Sequence, residues 1–299
     1  GYISRLDGSR QPYGLVVPEG WAAQPAAARR LDVWLHGRDD QLTELKFIAE
    51  RERSSGEFTP PDTFVLHPYG RYCNAFKFAG EADVFEALEE VKRHYHIDPS
   101  GIALRGFSMG GAGTWHLAAH HPDVWAVAAP GAGFAETAGY QKLDPSSPAI
   151  PPWERRLWQL YDATDYAGNF LHLPLVAYSG TQDPQRQAAD VMARALNREG
   201  LNLTRIWGTN VGHRYTPEGK LAVDAFVDRA VDGHRLARPD RVHFTTRTLR
   251  YFRGPGVEVL GLQEHWQRAD LWVDESARRI RTTNLTAFAL QDVRATEYV

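Results

Sequence analysis

The chain has one cysteine, Cys73, in 299 residues. That excludes an internal disulfide and a multi-thiolate metal site. Charge of one sign is also missing. The 34 basic side chains against 37 acidic ones leave a net of -3, which gives no electrostatic footprint for nucleic acid or for an anionic membrane. No apolar run approaches the length that crosses a bilayer. No internal repeat, low-complexity tract or heptad run occurs, so blades, solenoids and coiled coils are not expected. The first residue is Gly1, not methionine, so the sequence says nothing about a leader.

What is present is a 43% hydrophobic content, enough for a sizeable core in one large domain or two. Up to about residue 235, short apolar runs alternate with amphipathic stretches. "PYGLVVP" (12–18) reads as an edge strand, and "RLDVWLHG" (30–37) and "TFVLHPYG" (63–70) as further strands. Residues 41–53 are charged and helix-like. In 81–96, Val84, Leu88, Val91 and Tyr95 recur at helical spacing. "GIALRGF" (101–107), "VWAVAAP" (124–130), "LPLVAYSG" (173–180) and "LTRIWG" (203–208) add strands. "GAGTWHLAAHH" (111–121) and 183–200 add helices. This alternation predicts an α/β fold with a mainly parallel sheet covered on both faces. Residues 134–170, rich in proline and aromatics, break the rhythm and are expected to form an insertion over one end of the sheet. After Pro239 the pattern turns β-rich. The expected division is a catalytic domain over 1–239 and a small antiparallel module over 240–299, which ends abruptly at "ATEYV" and reads as a piece of something larger.

The densest signal is "LRGFSMGGAG" (104–113). Gly106-Phe107-Ser108-Met109-Gly110 is G-x-S-x-G, and it stands between an expected strand and an expected helix. Small flanking residues allow a sharp turn that presents the Ser108 hydroxyl at a helix N-terminus, where developing negative charge is favoured. The plainer reading is a glycine-rich connection with a capping serine. A serine nucleophile needs a base, and the base needs an acid, in the chain order Ser, acid, His. Asp183, just beyond the strand ending near residue 180, fits the acid, although Asp-Pro is also a standard helix start. Asp162, Asp165 and Asp190 are rivals: two lie in the insertion and one inside a helix. Of the 12 histidines, His213 in "GTNVGHRYTPEG" follows the last strand of the sheet and fits the base. The oxyanion needs two fixed N–H donors. Met109, directly after the serine, supplies one. Arg38 of "VWLHGRDD", with Gly37 beside it to let the backbone turn, is expected to supply the other.

With these residues in view, 101–133 resembles α/β-hydrolase-fold esterases of the polyhydroxybutyrate-depolymerase and feruloyl/acetylxylan-esterase type. It is also similar to bacterial prolyl-oligopeptidase-like peptidases. "LDVWLHGRDD", "YSGTQDPQRQAADVMARAL" and "GTNVGHRYTPEG" fit the same group, so the resemblance covers about 10–235. It implies acyl-ester hydrolysis with no cofactor and no metal, on a small-molecule or polysaccharide-linked ester. It also implies a secreted or periplasmic setting, yet secreted members often carry disulfides and this chain cannot. A serine peptidase or a polyester depolymerase shares the same constellation. A gated oligopeptidase would need a propeller, and no blade pattern occurs here. A non-catalytic binding protein would be marked by a lost triad member, and none is lost. For substrate contacts, Trp153 and Trp158 of the insertion are expected to stack a phenolic or sugar ring. Tyr69, Arg71 and Asn74 of the 67–83 loop are expected to line the acyl pocket.

Overall fold

The computed structural model describes residues 1–233 and 239–292. Residues 234–238, next to the expected domain boundary, and 293–299, which include "ATEYV", lie outside the described residues.

The central sheet has seven strands: β1 (Tyr13–Val16), β2 (Arg29–Leu35), β3 (Phe64–Pro68), β4 (Ile97–Phe107), β5 (Val127–Gly131), β6 (Val176–Gly180) and β7 (Thr204–Gly208). Their spatial order is β1-β3-β2-β4-β5-β6-β7. β1 pairs antiparallel with β3 at the edge, and the other pairings are parallel. Strands buried on both faces read as near-continuous apolar runs, which is why "LDVWL" and "GIALRGF" look as they do. Within β2 the pleat still sorts side chains. Leu31, Val33 and Leu35 enter one core, and Trp34 enters the other. The first core is closed by α2 (Ala79–His94), α3 (Met109–His120) and α6 (Gln187–Arg198), and the second by α7 (Pro217–Gly233), through Val223 and Val227. In chain order these follow α1 (Glu44–Arg53), and α4 (Thr137–Gln141) and α5 (Pro152–Trp158) lie between α3 and α6. The fold is therefore the expected α/β arrangement, with helices on both faces.

The 134–170 insertion contains α4, α5 and a 3-10 stretch, Ala163–Leu171. Beyond it, residues 241–290 form two three-stranded antiparallel sheets. One is ordered β8 (Arg241–Thr246), β11 (Ala269–Asp274), β12 (Arg279–Thr283). The other is ordered β9 (Arg253–Gly254), β10 (Val257–Leu262), β13 (Leu285–Leu290). Val242, Phe244, Val257, Val259, Leu271 and Val273 give these sheets a core of their own. They also reach into the first body. Tyr251 is buried in the main core and donates its hydroxyl to Glu81 Oε2 at 3.0 Å. Asn169 exchanges two hydrogen bonds with the backbone of Thr245, and Arg247 pairs with Asp165 at 2.7 Å.

Three local expectations shift. The helix expected to begin at 111 begins at Met109, because the turn at Ser108 feeds it directly. The helix expected over 183–200 opens with a 3-10 turn, Pro184–Arg186, before α6. The run 242–252 stops being a strand at Thr246, whose Oγ1 lies 2.6 Å from the Tyr251 carbonyl and 2.9 Å from that of Thr248, its one proton serving the turn these carbonyls close.

Candidate active site

The site lies where parallel strands end. β2 leads into His36-Gly37-Arg38, β4 into Ser108, β6 into Asp183 and β7 into His213. Loops at the carboxyl ends of such strands face one crevice.

Ser108 sits at φ 59°, ψ −119°, a conformation a side-chain-bearing residue rarely adopts. Its neighbours hold it there. Its N–H donates to the Gly131 carbonyl at 2.8 Å, and its carbonyl accepts from Ala112 at 3.0 Å. Glycine at 110 is obligatory, since a Cβ there would collide with the carbonyl oxygen of Leu35. That close approach brings the end of β2 against the start of α3. In consequence a Cβ built on Gly37 would stand 3.7 Å from Ser108 Cβ. Among the described hydrogen bonds, none uses the backbone N–H of Met109 or Arg38. The His36 ring pins this loop. Its Nδ1 lies 2.8 Å from the Gly37 carbonyl, and its Nε2 lies 2.8 Å from the Tyr69 carbonyl. A trans peptide points its C=O and N–H in opposite directions. Holding the Gly37 carbonyl therefore fixes where the Arg38 N–H points. The Arg38 side chain forms a two-point fork with Asp40.

His213 Nδ1 lies 2.8 Å from Asp183 Oδ2. The carboxylate can only accept, so Nδ1 carries the proton and Nε2 is left as the basic nitrogen. Phe107 packs against the imidazole at 4.9 Å between ring centroids, which places the ring beside the residue preceding Ser108. No hydrogen bond joins Ser108 to His213 among the described contacts; such bonds are often long before substrate binds. The helix-cap reading of Asp183 and the pairing with His213 turn out not to compete. Oδ1 accepts from the Gln185 N–H at 2.8 Å while Oδ2 meets the histidine. The rivals are held elsewhere: Asp162 by Thr137, Asp165 by Arg247 and Asp190 by Arg205.

A cleft of about 520 Å³ opens beside Ser108. Asn74 lines it, with its amide tied to the Gly70 carbonyl and the Phe76 N–H. The other expected substrate contacts are not there. Tyr69 is buried in a cluster with Leu42 and Phe47, and its hydroxyl donates to the Leu42 carbonyl. Arg71 is drawn away by Asp83 and Asp7. Trp153 and Trp158 are on α5, outside the cleft wall, with Trp153 mostly exposed. The insertion's contribution comes from its first turn instead, through Phe134, Tyr140 and Gln141. Lys77 and Gln185 also line the cleft, and neither stands in a periodic pattern along the chain.

Beneath this wall, burial pushes the Asp162 carboxyl up to about 7, against hydrogen bonds from Thr137. A carboxyl that holds its proton more tightly folded than unfolded stabilises the protein at low pH. That contribution is lost as pH rises from the unfolded value, about 3.9, through about 7. Asp162→Asn is therefore expected to flatten the fall in stability across this window. Urea midpoints of the two proteins at a series of pH values check it, and parallel curves would contradict it.

A model of the prolyl oligopeptidase family matches residues 77–233. A search of the curated proteins finds no match. Among solved structures, the chain is similar to a ferulic acid esterase at 16% identity and TM-score 0.56, with 77% of this chain and 96% of that one covered. It is similar to the fluorophosphonate-binding serine hydrolase F of Staphylococcus aureus at 18% identity and TM-score 0.58, with the same coverage. It is also similar to a putative dipeptidyl aminopeptidase IV from Bacteroides ovatus at 15% identity and TM-score 0.56, covering 79% of this chain and 35% of that one. At these identities the structures speak for the fold. The family match, which spans Ser108, Asp183 and His213, goes further: the chain belongs to the prolyl oligopeptidase family, a serine hydrolase with the α/β-hydrolase fold.

Proposed function

We propose that the protein is a serine carboxylesterase for short-acyl or aromatic esters, of feruloyl or acetyl type, with Ser108 as nucleophile, His213 as base and Asp183 as its orienting acid. The 2.8 Å pairing of His213 with Asp183, on the same strand ends as the strained Ser108 turn, supports this reading most. In it, Ser108 Oγ attacks the ester carbonyl as Nε2 of His213 takes its proton. Asp183 holds the imidazole in the right tautomer and stabilises the cation. The N–H groups of Met109 and Arg38 receive the oxyanion. His213 then returns the proton to the departing alcohol, and a water activated by the same nitrogen releases the acid. The His213 side chain is 40% exposed, which leaves that water a route in. Neither step asks for a metal or an organic cofactor.

The cleft wall is aromatic at Phe134 and Tyr140, which suits a phenolic ring better than a long alkyl chain. We also propose that 240–299 acts as an accessory module to a catalytic domain over 1–239, since its described part has a core of its own and supplies none of these residues. The family match favours one second reading, a serine peptidase with the same residues. A panel of p-nitrophenyl acetate, methyl ferulate, acetylated xylan, a polyester and a peptide amide separates them. The ester reading expects turnover of the first two and little on the amide; the reverse order would establish the peptidase.

A further inference from the structure

The cleft beside Ser108 is lined by three charged side chains among the described residues: Arg38, Asp40 and Lys77. Arg38 and Asp40 neutralise each other in a two-point fork. Lys77 has no such partner. Among the described contacts its ammonium makes neither a hydrogen bond nor an ion pair, and it rests between the rings of Phe134 and Tyr161, 5.4 and 5.7 Å from their centroids. In sequence Lys77 stands four residues before Glu81, the spacing of an ordinary helix-surface pair. The structure breaks that pair. Lys77 precedes α2, and the Glu81 carboxylate is turned inward to His116, His121 and Tyr251. Asp162 attracts the ammonium through space, but it makes no hydrogen bond or ion pair with it among the described contacts and is engaged by Thr137. Burial pushes the Lys77 ammonium below its usual range.

The backbone around it is strained in the same way as at the nucleophile. Ala75, Phe76 and Phe78 all have positive φ, and Phe78 at φ 53°, ψ −115° nearly reproduces Ser108. Such residues persist where the surroundings over-determine them, most often at functional sites. An ordinary helix start would have placed Lys77 on the surface beside Glu81. The turn instead delivers an unpaired cation to the cleft wall.

We propose that Lys77 anchors a carboxylate of the substrate, so that the enzyme prefers esters carrying an anionic group at a distance from the scissile carbonyl. This rests on the esterase reading of the same site. The aromatic faces flanking the ammonium restrict its approach and exclude water from one side, which strengthens a charge-assisted hydrogen bond to an arriving carboxylate. Aromatic acids esterified through a phenol, or half-esters of dicarboxylic acids, have the required chemistry.

Two substrate pairs test it, one with the carboxylate on each side of the bond. The first is p-nitrophenyl hydrogen adipate against p-nitrophenyl hexanoate. The second is p-acetoxyphenylpropionate against its primary amide. The expected ratio of kcat/KM, anionic over neutral, is about tenfold or more in one pair for the wild type. The ratio falls towards one in Lys77→Gln and is largely kept in Lys77→Arg. A ratio near one in both wild-type pairs, or one that Lys77→Gln leaves in place, overturns the inference while the esterase reading stands. If the wild type cleaves none of the four, the esterase reading fails. Calorimetric titration of phenylpropionate then decides on Lys77 without turnover. Binding to Ser108→Ala that is lost in Ser108→Ala/Lys77→Gln supports the anchor, and equal or absent binding in both overturns it.

Discussion

Ser108→Ala is expected to lower kcat for a small activated ester by about 10⁴ or more, with the fold intact. The size of the loss follows from what stays behind. Removing Oγ deletes the only group at the turn able to form the acyl intermediate, while the Met109 and Arg38 N–H groups and the cleft remain. The residual rate is therefore that of water attacking an ester held in a polarising site. Stability should not suffer. Ser108 contributes through its backbone, by the bonds to Gly131 and Ala112, and alanine keeps both. The strained φ of 59° costs alanine no more than it costs serine. Thermal melting of both proteins beside steady-state kinetics separates lost chemistry from lost fold.

Asp183→Asn is expected to cost about 10⁴ in kcat, for a different reason. The amide can still accept from the Gln185 N–H through its oxygen, so the cap at the start of the 3-10 turn survives. Its NH2 would then face His213 and donate where a carboxylate accepted. The ring turns to the tautomer whose proton sits on Nε2, the nitrogen needed as base, and the imidazolium loses its counter-charge. The same change at Asp165 or Asp190 removes one side of a pair with Arg247 or Arg205 and leaves His213 alone. Those variants should lose less than about tenfold in kcat, because each carboxylate holds an arginine and not the imidazole. If Asp165→Asn matched Asp183→Asn with the fold intact, the acid would have been assigned to the wrong residue.

The sheet was legible because its central strands are buried on both faces, and several strands end at proline or glycine, as at Pro68, Gly131, Gly180 and Gly208. "LRGFSMGG" was legible because a turn this tight admits few residue types. Asp183 and His213 could be placed by chain order, as each follows a strand whose end was clear. The cleft wall was not legible. Trp153 and Trp158 stand out in sequence, yet α5 carries them away from the cleft; the shorter segment around Phe134 and Tyr140 lines it instead. Tyr69 looked like a pocket residue because it follows a strand, but its hydroxyl finds the Leu42 carbonyl in the interior. Lys77 was hidden by its spacing to Glu81. Only the three-dimensional arrangement reveals that Glu81 is buried against His116 and Tyr251, a residue 170 positions along the chain.

The most direct measurement is covalent. The protein is treated with a fluorophosphonate, digested, and mapped by mass spectrometry, with Ser108→Ala and His213→Ala treated alongside. The account predicts one phosphonyl group per chain, carried by the peptide containing Ser108, absent from Ser108→Ala and formed far more slowly in His213→Ala. A phosphonyl group on another serine, or labelling of Ser108 at an undiminished rate without His213, would contradict it.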